Sequence, residues 1–61
     1  MKLSPAMEDA LKGARPLTES GELWLPYFLR RSTRIALRRR GLSVLGELTP
    51  AGIAERERLL K

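Results

Sequence analysis

Apolar residues recur along this chain at two spacings, and the changes of spacing divide it into elements. Met7, Ala10, Leu11 and Ala14 stand at i, i+3, i+4 and i+7, the period of one face of an α-helix. This predicts a helix within residues 1–16. Ser4 suits its N-cap and Pro5 its first helical position. Glu8 and Asp9 lie towards the positive end of the macrodipole, Lys12 and Arg15 towards the negative end. Gly13 weakens the last turn, and Pro16 blocks continuation. After a polar connection at residues 17–21 the pattern alternates over Glu22–Leu25. Leu23 and Leu25 share one face and Trp24 takes the other, which predicts a short strand ended by Pro26.

Residues 26–40 return to the helical period, as one helix or as two short ones with a break near Ser32. Leu29, Thr33, Ala36 and Leu37 share an apolar face, with Phe28 and Ile35 beside it. Tyr27, Arg31, Arg34 and Arg38 fall at i, i+4, i+7 and i+11 on a separate narrow stripe. Gly41 is placed for a left-handed cap. Residues 42–48 read as a tight hairpin turning near Leu45 and Gly46. Thr49 caps a last helix with Pro50 at its first position. Ile53, Glu57 and Leu60 line one side of it, and Glu57 with Lys61 makes an i,i+4 pair. The predicted order is helix, short strand, basic helix, tight β-hairpin, helix. That is a small α+β fold, and its 61 residues form one domain, 1–61. A chain this short buries only about 60% of its unfolded surface, so a homodimer burying more is a second expectation.

Charge sharpens the picture. The net charge is +5, and from Leu23 to Gly46 there is no Asp or Glu. That stretch holds Arg30, Arg31, Arg34, Arg38, Arg39 and Arg40, while the other six bases and seven acids leave the rest of the chain at −1. A solvated helix face usually mixes signs, and Arg is favoured where phosphates or base edges are gripped bidentately. A GC-rich coding sequence would also favour Arg over Lys, but it would not segregate the charge. The chain has no Cys and no His, so disulfides, thiolate metal sites and the commonest general base are all missing. The seven acids form no recognisable catalytic pair. No enzyme, cofactor or metal is expected. No run of about 18 apolar residues exists to span a membrane, and no signal peptide is evident. The expected location is cytoplasmic.

Two motifs, Thr33–Leu42 (TRIALRRRGL) and Leu48–Gly52 (LTPAG), carry a resemblance. Their order resembles a minimal winged helix-turn-helix domain, MarR-like in texture, of the kind found in small phage or mobile-element regulators. In such families a basic recognition helix ends in Gly-Leu, and a wing strand returns to open the next helix at Leu-Thr-Pro-x-Gly. This chain departs from the pattern in two ways. Only Pro26–Arg31 is available for the helix that normally precedes the recognition helix, and the wing is very short with no basic tip. The resemblance implies a transcriptional regulator that inserts its Arg-rich helix in the major groove of double-stranded DNA, in the host cytoplasm if phage-encoded. Arg34 and Arg38 are then candidates for base edges, and Arg31, Tyr27 and Ser32 for backbone contacts. Arg30, Arg39 and Arg40 either reach flanking phosphates or cover core edges with their stems. The alternative is a small interaction module or inhibitor that grips an acidic partner protein through the same basic face.

Overall fold

Ser4 starts the first helix: its hydroxyl accepts from the Met7 amide at 3.3 Å, and Pro5 follows at the first helical position. In the computed structural model, which describes residues 2–61, this helix (α1) spans Pro5–Lys12 and is closed by Gly13, whose amide donates to the Asp9 carbonyl at 2.9 Å. It therefore stops short of residue 16. Pro16 pushes the residue before it towards extended backbone, and Arg15–Pro16 form a strand, β1, antiparallel to β2 at Leu23–Trp24. β1 lies at the sheet edge, where proline's missing donor costs least.

The segment after Pro26 is not helical at first. Its Leu29 amide donates to the Pro26 carbonyl at 3.2 Å in a single turn, and α2 runs only from Arg31 to Arg39. Neither reading of residues 26–40 holds as stated: a single helix forms, starting at Arg31, and the residues before it make a turn rather than a first short helix. In a continuous helix the Pro26 carbonyl would accept from residue 30. Here it accepts from the Leu29 amide and from the Arg34 guanidinium, the latter at 2.8 Å. Tyr27 thus leaves the helical stripe that its spacing suggested. Phe28 is exposed rather than bordering the core.

At the other end of α2, Leu42 donates to the Leu37 carbonyl and Gly41 to that of Arg38, both at 3.0 Å, with Gly41 at φ 74°. This is a Schellman cap. It turns the chain into β3 (Ser43–Val44) and β4 (Glu47–Leu48), joined through Leu45 and Gly46, both at positive φ. The sheet order is β1-β2-β4-β3, antiparallel throughout, with Trp24 opposite Glu47.

Thr49 then joins two helices. Its hydroxyl accepts from the Gly52 amide at 3.1 Å and donates to the Gly41 carbonyl at 2.6 Å, capping α3 (Pro50–Leu60) and tying its start to the end of α2. The contact is so close that a Cβ at position 52 would overlap the Leu42 carbonyl oxygen. The glycine of the LTPAG motif is thereby accounted for by steric fit.

Between the helices and the sheet lies one core: Leu3, Met7, Ala10, Leu11, Ala14, Leu25, Leu37, Leu42 and Leu48. Ile53 and Leu59 pack against it, whereas Glu57 and Leu60, expected on the same side as Ile53, are exposed. The expected Glu57–Lys61 pair is absent, since Lys61 lies beyond the last helical residue. Arg58 pairs with Glu55 instead, at 2.6 Å. Among the described residues no helix is long and apolar enough to cross a membrane.

Candidate nucleic-acid interface

Spacing along α2 turns Arg31, Arg34 and Arg38 to one side, and the β3–β4 hairpin folds back beside them. Together they form a shallow groove of about 290 Å³, with Leu25, Ile35, Ser43, Leu45 and Gly46 completing its wall. The three arginines expected on one stripe are therefore assembled in one concavity. Tyr27, expected with them, instead lines a different groove.

The three are not equivalent. Arg34 is half-buried. One of its terminal nitrogens holds the Pro26 carbonyl, and the other lies so close over Gly46 that a Cβ there would come within 3.2 Å of it. It bridges the turn after β2 and the hairpin turn. Arg34, a candidate for base edges, is therefore not wholly free for an outside ligand: its position on the helix sends the guanidinium back to an acceptor in the preceding turn. Arg31 and Arg38 are exposed, and neither donates a side-chain hydrogen bond among the described residues. Arg30, Arg39 and Arg40 are exposed too, and Arg40 reaches back to the Ala36 carbonyl at 3.3 Å. Ser32 is exposed in the first turn of α2.

Electrostatically the face is one-sided. Among the described residues the only ion pairs are Lys12–Asp9 at 3.9 Å and Arg58–Glu55 at 2.6 Å, so none of the six central arginines has a carboxylate partner. The start of α2 adds to this. Arg30 occupies the N-cap without a side-chain cap, and the first turn has no acid. Its leading amides thus have no side-chain cap, and the positive end of the helix dipole has no acid beside it in the first turn. Away from this face, Arg58 holds the Glu55 carboxyl below the usual carboxylate range through its hydrogen bond. Among the described residues no group of three or more acids gathers that could hold a metal ion.

One element of the groove escaped sequence reasoning. Leu45 sits on its rim, 85% exposed, at φ 53°. Its signal was the Leu-Gly pair itself, because two-residue turns of this kind favour Asn, Asp or Gly at the first position. A groove of arginines with an apolar lip can grip phosphates and accept guanine edges, and it can contact a thymine methyl. Comparison with protein families, characterised proteins and solved structures finds no match to this chain.

Proposed function

We propose that this protein is a small basic double-stranded-DNA-binding protein acting in transcriptional control, with α2 entering the major groove. The observation that carries the reading is the gathering of Arg31, Arg34 and Arg38 in one groove with no carboxylate in contact. Arg38 and Arg31 make the direct contacts, Arg38 to base edges and Arg31 to the backbone. Arg34 keeps the groove in shape and offers its remaining N–H groups. Ser32 and Arg30, beside the uncapped start of α2, and Arg39 at its far end take flanking phosphates. The order of helix, two paired strands, basic helix, hairpin and helix supports kinship with the winged helix-turn-helix design, as does the close fit at Thr49 and Gly52.

The test is a titration of labelled duplex DNA over a range of salt. Neutralising three to five phosphates gives a slope of log K against log salt of roughly −3 to −4.5. Absence of binding at low salt, or a slope near zero, refutes the reading. One observation favours a second reading, in which the same face grips an acidic protein: the hairpin tip carries an exposed leucine where a DNA-binding wing would carry a base. That reading predicts no duplex affinity at any salt.

A further inference from the structure

Adjoining the arginine groove, with Leu25 common to both, Leu17, Tyr27 and Phe28 are 73%, 91% and 76% exposed. All three line one groove of about 520 Å³, whose floor includes Ala10, Trp24 and Leu25. Tyr27 and Phe28 stand edge to face, with ring centroids 5.5 Å apart and planes at 83°. Large apolar side chains gathered in this way mark an interaction surface, and aromatic residues are enriched in the buried centres of protein interfaces.

We infer that this groove is the contact face for a second copy of the same chain, related by a two-fold axis. The charges on its rim point to that occupant. They are one acid, Asp9, and one base, Arg15. Asp9 is 80% exposed and touches Lys12 only at 3.9 Å, while Arg15 is exposed and has no carboxylate partner. A two-fold contact is self-complementary: residue i meets residue j, and j meets i. A rim carrying one charge of each sign satisfies itself in that arrangement. A nucleic acid would be repelled by Asp9, and an acidic or basic partner would match only half of the rim. Strand addition is not the route, because β1 at this edge ends in Pro16, which has no amide to donate. The contact is made by side chains. Arg31, Arg34 and Arg38 do not line this groove, although Leu25 is common to both.

Sedimentation equilibrium without DNA, from micromolar to millimolar protein, tests the inference independently of what the arginine face binds. The expected result is a concentration-dependent doubling of mass. Added salt should tighten it, since two copies of net charge +5 repel, whereas salt weakens a phosphate contact. Phe28→Ser should weaken association at least about tenfold while leaving the far-UV spectrum intact. Asp9→Arg and Arg15→Asp change the net charge in opposite directions, so a general charge effect would move association in opposite directions. The paired contact instead weakens in both variants and recovers in the double variant Asp9→Arg with Arg15→Asp. A monomer at every concentration, a dimer indifferent to Phe28→Ser, or a double variant that stays weak each overturns the inference.

Discussion

Replacing Arg34 by alanine separates its work in the fold from its work at the interface. The guanidinium donates to the Pro26 carbonyl at 2.8 Å and lies over Gly46. A hydrogen bond from a charged group contributes about 1.5–3 kcal/mol. Arg34 is only half-buried, so water can replace part of it, and we expect Arg34→Ala to cost about 1–2 kcal/mol. In a domain of this size each kcal/mol moves Tm by about 4–8 °C. Arg38 is exposed without a polar partner among the described residues, and Arg38→Ala should stay within about ±0.5 kcal/mol. Thermal melts followed by circular dichroism compare the two directly. In duplex binding the emphasis reverses: Arg38→Ala should lose at least about tenfold in affinity at unchanged Tm, the low end of what a bidentate base contact is worth. Equal melting of the Arg34→Ala and Arg38→Ala variants would refute the bridging role of Arg34.

Leu37 is fully buried, so Leu37→Ala should cost about 2–5 kcal/mol; a denaturant midpoint that does not move would contradict its place in the core. Leu45 holds φ 53° with its side chain in solvent. Left-handed backbone costs a residue of this kind roughly 1–2 kcal/mol, so Leu45→Asn should raise stability by about 1 kcal/mol, and a lower Tm would count against the strain. Glu55 should titrate below the usual carboxylate range because Arg58 bonds its charged form. A depressed folded-state value means that its contribution is present above the unfolded pKa and is lost as pH falls through the lower folded one. An NMR titration in which Arg58→Gln leaves the Glu55 midpoint unmoved would exclude that cause.

Much of this fold was legible because its ends are marked locally. Ser4, Gly41, the Leu45–Gly46 pair and Thr49 each act within a few residues of themselves, and each stands where the sequence puts it. What was hidden depends on partners distant in sequence. Arg15–Pro16 reads as the end of a helix until Leu23–Trp24 is seen to pair with it. Residues 27–30 keep a helical spacing, but the carbonyl that would continue the ladder accepts from the Leu29 amide and the Arg34 side chain instead. The arginine stripe was visible as a period. That one of its members is a structural tie was not, since the acceptor lies eight positions earlier in a turn that periodicity does not predict.

The sheet order has a kinetic consequence. β1 with β2 and β3 with β4 are neighbours in sequence and can zip locally, but β2 meets β4 only through Trp24 and Glu47, with Leu25 donating to the Gly46 carbonyl at 2.7 Å. This is the long-range pairing that folding must find, and its cost is the entropy of closing the chain between the two strands. The helix Arg31–Arg39 lies inside that loop. Once coiled, it advances only about 1.5 Å per residue, against about 3.3 Å when extended. Early helix formation therefore draws the two hairpins together before they touch. The chain's single tryptophan sits at the joint. In a stopped-flow experiment its fluorescence should change with the slow phase of folding, after the helical signal has begun to rise; a tryptophan change that comes first would reverse that order.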